Sequence, residues 1–342
     1  MPRSRSSRRW SRLLTAGGWA MVAPSAVVAC GRLVRHQRHG SVLMLEAVGP
    51  LWALPTLAAV GIGAVARRPA LAGVATALAG LHGAWLAPDL RRGPLAAAVG
   101  GNASNSNGGS RSGGGRERAR FRLFSHNVLF INTDMAGIAA EIAATDPDVV
   151  ALQEVSLPNL AALERAGTVE RYPHRWLDPR TDALGTVILS RLPLEGAERW
   201  RCAGLLMARA TLVVGHRRVR LYDVHTRAPF GPGAAAHWEE QLGVLAGLAR
   251  EEDGPLVLAG DYNASSGHRA FRDLLAAGLV DAHVAAGRWW ATTWPRDLPH
   301  VPSLALIDHV LVNRHLAVAG VAEGEGRGSD HRPVIADLLL VD

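Results

Sequence analysis

The hydrophobic pattern divides the chain into two unlike parts. Residues 13–34, 42–66 and 69–87 are long runs of Leu, Ala, Val and Gly. Each approaches the ~20 residues that cross the hydrocarbon core of a bilayer. They predict about three transmembrane helices inside an anchor covering residues 1–99. The Gly/Ser/Asn-rich stretch at 100–119 holds too little apolar surface to order itself, and predicts a flexible linker that lets a tethered domain move. From 120 to 342 the pattern changes to short apolar runs separated by turn residues. Residues 121–127, 148–153, 185–190, 207–214, 218–224, 256–259, 306–312 and 333–341 read as strands. Residues 133–144, 156–166 and 233–250 read as helices, the first capped by Thr133 or Asp134. Strands adjacent in sequence, mixed with helices that cover them, predict an α/β domain of two sheets packed face to face with helices outside.

Charge follows the same boundary. The first 120 residues carry 16 Arg against Glu46, Asp89 and Glu117, a net of +13, while the remaining 222 carry 21 Arg against 27 acids, a net of −6. The overall +7 therefore belongs to the first 120 residues alone. The C-terminal domain lacks the basic excess that non-specific binding of a phosphate backbone needs. With the N-terminus inside, Arg3, Arg5, Arg8, Arg9, Arg12, Arg67 and Arg68 fall on the cytoplasmic side. Arg32, Arg35, Arg38, Arg91 and Arg92 fall on the other. Arginine bias and three crossings together predict an extracytoplasmic C-terminal domain. Two cysteines, Cys30 and Cys202, are too few for a disulfide framework.

Candidate chemistry lies at the ends of the apolar runs. His126-Asn127 follows the first strand, Gln153-Glu154 the second, and His225 closes the run ending at Val224. Gly260-Asp261-Tyr262-Asn263, Ile307-Asp308-His309 and Ser329-Asp330-His331 complete the series. Strand ends hold side chains rigidly beside a crevice. Carboxylates and amides are hard oxygen ligands suited to Mg²⁺, and imidazoles beside them suit proton transfer or phosphate binding. Asn263, two residues beyond Asp261, is expected to face the same way along an extended segment. His126 and His309 point to the opposite face of their strands from Asn127 and Asp308, which makes them core or supporting residues. Asp223 is expected at the surface or in a turn.

The order and spacing of these motifs resemble the endonuclease/exonuclease/phosphatase superfamily, from about Arg120 to Asp342. That resemblance implies a DNase I-like two-layer β-sandwich flanked by helices and a Mg²⁺-dependent phosphoester hydrolase, with Mn²⁺ as a possible substitute. It implies Glu154 as principal metal ligand, with Asn127 and Asp330 on the metal side. It implies Asp261 as the carboxylate that positions or deprotonates the attacking water, and Asn263 as the amide donor to a phosphoryl oxygen. His225 is implied as a phosphate contact, and His331, partnered by Asp308, as the second imidazole. Trp294-Pro295 resembles a segment that packs under the site in this superfamily. Trp289 and Trp290 could line a substrate groove, meet lipid or pack in the core.

Three spans, a linker and a C-terminal phosphatase domain are similar to the VanJ-type membrane-anchored branch of actinobacteria. That architecture implies a phospholipid or polyprenyl-phosphate substrate at the membrane, such as a phosphorylated or pyrophosphorylated envelope lipid. Two other readings fit the same motifs: an extracytoplasmic nuclease acting on DNA, and a non-catalytic binding module with the same fold. No feature points to a protein partner.

Overall fold

Interior strands form where the sequence is apolar on both faces, and such strands pair into two sheets. The computed structural model describes residues 5–33, 39–91, 119–296 and 301–341, so the predicted linker, except for Ala119, lies outside the described residues. One sheet runs in the order β11 (Leu316–Glu323), β12 (Val334–Leu340), β1 (Arg120–Asn127), β2 (Val149–Gln153), β4 (Thr186–Ser190), β3 (His174–Asp178). The other runs β5 (Leu194–Cys202), β6 (Leu205–Val214), β7 (Arg217–His225), β8 (Leu256–Asp261), β10 (Asp308–Val312), β9 (Val280–Asp281). Each sheet has one parallel pair at its centre, β1 with β2 and β7 with β8. The strands flanking each pair are antiparallel to it. This is the predicted sandwich of similar halves.

Leu123, Val149, Ala151 and Ile188 from the first sheet meet Leu212, Leu221, Val257 and Val310 from the second. Each large apolar side chain buried there contributes about 1.5–3 kcal/mol relative to exposure. Helices α5 (Met135–Thr145) and α6 (Leu157–Arg165) cover the first sheet through Ile138, Ile142, Leu160 and Leu163. The Asp134 side chain caps α5 by accepting from Gly137 N–H, and Ser156 with Asn159 forms a capping box on α6. Helices α7 (Ala234–Glu251) and α8 (Arg269–Leu275) cover the second sheet through Trp238, Leu242, Leu245 and Phe271. Cys202 is buried there, and burial pushes its thiol up to about 12, so it is inert at neutral pH.

The N-terminal runs form a helical bundle of α1 (Arg5–Leu33), α2 (Gly40–Ala47), α3 (Ala53–Val65) and α4 (Pro69–Arg91). Two helical segments, Arg9–Leu33 and Pro69–Ala87, are long and apolar enough to cross a membrane. The run expected to span at 42–66 is not one helix. It breaks at Val48-Gly49-Pro50 into α2, a 3₁₀ turn (Gly49–Trp52) and α3 of 13 residues. Pro50 lacks the N–H that a continuing helix needs and disfavours a helical residue before it. Trp52 Nε1–H donates to Leu45 O at 2.6 Å across the break.

Side-chain contacts fix how the bundle runs. Gly18 of α1 faces Ile62 and Leu71, Ser25 hydrogen-bonds His82 at 2.8 Å, and Arg32 lies 4.3 Å from the Trp85 ring. Helices α1 and α4 are therefore parallel, with α3 antiparallel to both. Arg67 and Arg68 fall at the same end as Arg9 and Arg12. The opposite end carries the two-sheet domain, which is seated on α2 and not held off from it. A Cβ on Gly267 would stand 1.7 Å from the Glu46 carbonyl oxygen, so the two backbones touch. Leu43 is buried in the same cluster as Trp238 and Phe271.

Asp223, expected at the surface, is instead fully buried between the sheets, where Gln153 Nε2–H donates to it. Burial pushes its carboxyl well above the ordinary range. Folded Asp223 thus keeps a proton that the unfolded chain releases above pH ~3.9. Its contribution to stability is complete below that pH and is lost as pH rises toward the folded value. Asp223→Asn should therefore raise the melting temperature at pH 7, by about 2–4 °C per kcal/mol recovered. The gain should be smaller at pH 5. Thermal melts check this, and a variant that melts lower at both pH values would reject it.

Candidate active site

The two parallel pairs bring four strand ends to one edge of the sandwich. Asn127 ends β1 level with Gln153 at the end of β2, and His225 ends β7 level with Asp261 at the end of β8. Asp308 opens β10 opposite Asp261. Gly260 permits the approach: its φ is +143°, and a Cβ there would stand 1.9 Å from Val224 O. Just past β2, Glu154 adopts φ 59°, a left-handed conformation that costs about 1–3 kcal/mol in a residue with a side chain. That backbone turn aims its carboxylate into the pocket, where Phe130 N–H donates to Oε2 at 3.3 Å.

The structure gathers all eight candidate residues. Glu154, His225, Asp261, Asn263, Asp330 and His331 line one pocket. Asn127 and Asp308 stand behind them, buried, and hold them in place. Asn127 Nδ2 donates to Glu154 Oε1 at 2.9 Å and to Asp261 Oδ2 at 3.0 Å, joining the two sheets through one amide. Its Oδ1 accepts from Leu129 N–H at 3.0 Å. Asn127 thus holds two carboxylates in place. His225 Nε2 lies 3.6 Å from Glu154 Oε1 and 3.9 Å from Asp261 Oδ2.

His331 and Asp308 form a buried dyad, Nδ1 to Oδ2 at 2.9 Å. His331 Nε2 lies 3.8 Å from Asp261 Oδ2 and 3.9 Å from Asp330 Oδ1. Burial disfavours the imidazolium, but the Asp308 and Asp261 carboxylates outweigh it and push His331 up to about 10. Burial likewise opposes ionisation of Asp308, yet the adjacent imidazole holds its carboxyl below the usual range. Asp261 moves the other way: burial and the Asp308 carboxylate raise it, against the pull of His331 and His225. Two neighbouring carboxyls pushed in opposite directions are suited to different roles, one as a fixed counter-charge and one as a proton acceptor.

The extended segment expected through Asp261–Asn263 is absent. Asn263 takes φ 46°, because Asp261 Oδ1 accepts its backbone N–H at 2.8 Å and bends the chain. Its Nδ2 donates to Thr226 O at 3.0 Å and to Asp261 Oδ2 at 3.3 Å, so it still faces the pocket. His126 and His309 do face away from the site. His126 is buried and Nε2 lies 3.2 Å from His331 O; burial lowers it to about 4, so the neutral ring donates to that carbonyl. His309 sits between Asp281, at 2.5 Å, and Ala264 O, at 2.8 Å.

Trp294 lies beside the site, where the resemblance had put it, and other supporting residues were not legible as such. Trp294 Nε1–H donates to Asp330 Oδ2 at 3.1 Å and orients it. The Thr293 hydroxyl accepts the N–H of Asp308 at 3.2 Å. Ser329 Oγ donates to Asn127 O at 2.7 Å and accepts His331 N–H at 3.0 Å, tying the last loop to β1. Leu43, Met44 and Ala47 of α2 line the pocket from some two hundred positions away in the chain, with no local signal to place them there.

The donor set suits a hard divalent cation. Glu154, Asp261 and Asp330 line the pocket with Asp308 behind them, and His225, His331 and Arg227 stand beside them. Asp261, Asp308 and His331 also bring ligand atoms within 4.8 Å of one another, the one such group among the described residues. Because His331 Nδ1 is engaged by Asp308, that group works better as a proton relay than as a complete metal site. Glu154 and Asp330 offer the more open oxygens.

A family model described as Endonuclease/Exonuclease/phosphatase family matches residues 124–331. Solved structures share the fold. An endonuclease/exonuclease/phosphatase from Beutenbergia cavernae DSM 12333 is 24% identical, with 65% of this chain and 72% of that chain covered and a TM-score of 0.51. Truncated Caenorhabditis elegans TDP2 is 16% identical over 64% of this chain and 98% of that one, TM-score 0.53. D. rerio TDP2 complexed with single strand DNA product is 18% identical over 64% and 98%, TM-score 0.54. At these identities the likeness carries the fold alone. No curated protein sequence matches the chain. Because the match covers more than half of the chain and spans every strand end that carries a candidate residue, this chain belongs to the endonuclease/exonuclease/phosphatase family.

Proposed function

We propose that the protein is a membrane-anchored phosphoester hydrolase, dependent on a divalent metal, that acts outside the cytoplasmic membrane on a phosphorylated or pyrophosphorylated envelope lipid. Its family consists in general of hydrolytic phosphoesterases. The observation that carries the finer reading is the seating of the active-site pocket on the apolar bundle, at the end remote from Arg9, Arg12, Arg67 and Arg68. Arginines on the cytoplasmic side then put the pocket on the outer one.

The chemistry follows from the side chains. Asp261, with its raised pKa, accepts a proton from the attacking water. Asn263 turns the N–H now shared with Asp261 toward a phosphoryl oxygen. His331, protonated and fixed by Asp308, stabilises charge on the phosphoryl group and donates its proton to the leaving oxygen as the P–O bond breaks. His225 contacts the phosphate beside Glu154. Glu154 and Asp330 would hold a Mg²⁺ or Mn²⁺ ion, which when bound supplies charge neutralisation at the phosphoryl oxygens.

Metal removal tests the first part. EDTA should abolish hydrolysis of a water-soluble phosphoester and Mg²⁺ should restore it. Glu154→Gln keeps the shape and loses the charge, and should lower kcat by roughly 10²-fold or more with little change in melting temperature. Full activity of that variant in chelator would refute the metal assignment.

Topology is tested by a reporter fused after Asp342. It should give signal only with a reporter that works outside the cytoplasm. A cytoplasm-only signal would mean that the parallel helices α1 and α4 run in the opposite sense across the membrane, and would reject the proposed orientation.

The nuclease reading predicts a different substrate. The domain from residue 121 onward carries a net −6, which repels a DNA backbone. Hydrolysis of vesicle-presented lipid phosphate or pyrophosphate should exceed hydrolysis of duplex DNA at equal Mg²⁺, and His331→Ala should remove it. Ready degradation of plasmid DNA with every lipid phosphate untouched would establish the nuclease instead.

A further inference from the structure

The active-site pocket is lined by apolar side chains as well as by its polar groups. Beyond the carboxylates and imidazoles, its cavity of about 470 Å³ is walled by Leu43, Met44 and Ala47 of α2 together with Leu205, Phe230 and Ile307. A second cavity, about 250 Å³, lies between the bundle residues Leu51, Leu54 and Leu86 and the catalytic-domain residues Trp289, Trp290 and Leu304. Ala47 stands in the wall of both. Resting on the lipid-phosphoester reading above, we propose that α2 builds a tail-binding subsite. The substrate's hydrocarbon chain runs from the phosphate end of the pocket along Leu43 and Met44, past Ala47, into the second cavity beside the bundle.

Three observations support one long apolar chain as the occupant. First, the strand-end groups that would meet a phosphate share the pocket with Leu43, Met44 and Ala47 of α2, a wall that suits hydrocarbon. Second, the apolar route leads toward the bundle, where Leu51, Leu54 and Leu86 continue it. Third, the wall is preformed. Besides the backbone contact at Gly267, buried His268 holds α2: Nδ1 accepts from Ser265 N–H at 2.9 Å, so Nε2 carries the proton and donates to Leu43 O at 2.8 Å. Burial lowers His268 to about 4, which keeps it in this neutral form at physiological pH. A preformed wall loses little on ordering when a ligand enters. A nucleotide strand would leave this surface without a partner.

The test uses the full chain in phosphatidylcholine nanodiscs, with butyl, octyl and dodecyl phosphate as probes. Binding is measured by calorimetry, with uptake by empty nanodiscs subtracted. In the wild type, affinity should rise steeply with chain length, by up to about fourfold per methylene buried. Ala47→Phe narrows the passage between the cavities, and should shrink the ratio of butyl to dodecyl dissociation constants by about tenfold, the loss of roughly two methylenes. Met44→Asn, which changes the wall without adding bulk, should move the ratio in the same direction. A ratio unchanged in both variants, or one flat with chain length in the wild type, overturns the subsite. So does a dinucleotide that displaces butyl phosphate while no chain-length trend is seen. A chain-length trend without hydrolysis of any lipid phosphoester keeps the subsite and rejects the hydrolase reading. Lipid hydrolysis without the trend does the reverse.

Discussion

The parallel pairing at the centre of each sheet is the constraint on which the rest depends. Parallel neighbours end at the same edge, so β1 with β2 and β7 with β8 deliver Asn127, Glu154, His225 and Asp261 to a single rim. Antiparallel pairs in those places would have sent half of these residues to opposite ends of the sandwich. Packing the sheets face to face then closes the gap between the two rims. The amide of Asn127 spans it, with Glu154 on its own sheet and Asp261 on the other. The apolar core between Leu123, Val149, Leu221 and Val257 sets that separation. Core packing and site geometry are therefore one property: a change in sheet spacing of a few tenths of an ångström would strain or release this bridge.

Electrostatics at the rim depend on burial as much as on identity. Asp261 and Asp308 are both fully buried and face each other across β8 and β10, yet they are driven in opposite directions. The difference is the hydrogen bond: Asp308 holds His331 Nδ1, whereas Asp261 meets only the far nitrogen at 3.8 Å. His126 reaches the loop at 329–331 from β1, Ser329 of that loop donates back to Asn127 O, and Asp308 holds the ring from β10, so the position of the imidazole is fixed from both sheets.

Which parts were legible in the sequence follows from where each element sits. Strands with partners on both sides, such as β2, β4, β8 and β10, are buried at every position and read as plain apolar runs. The strands that no run announced are β3, β5, β9 and β11, and these are the four edges of the two sheets. Edge strands carry mixed faces; β5, Leu-Glu-Gly-Ala-Glu-Arg-Trp-Arg-Cys, has a register shift between Glu195 and Glu198. Candidate residues on strand ends were legible because their positions are local properties of a run. Two features were not. Asn263 bends because of a hydrogen bond to its neighbour's side chain, which periodicity does not encode. The run at 42–66 has hydropathy enough for a span, but α2 turns aside because Gly267 and His268, far away in the chain, offer it a seat.

That seat has a consequence for encounter kinetics. With backbone of α2 against backbone at Gly267, the two-sheet domain is seated on the bundle, and this contact sets the height and heading of the pocket mouth relative to it. If the bundle lies in a bilayer and the substrate is the lipid phosphoester proposed above, substrate arrives by lateral diffusion within the leaflet. The governing variable becomes the surface mole fraction of the lipid, and dilution of the whole suspension at constant membrane composition leaves the rate per enzyme unchanged.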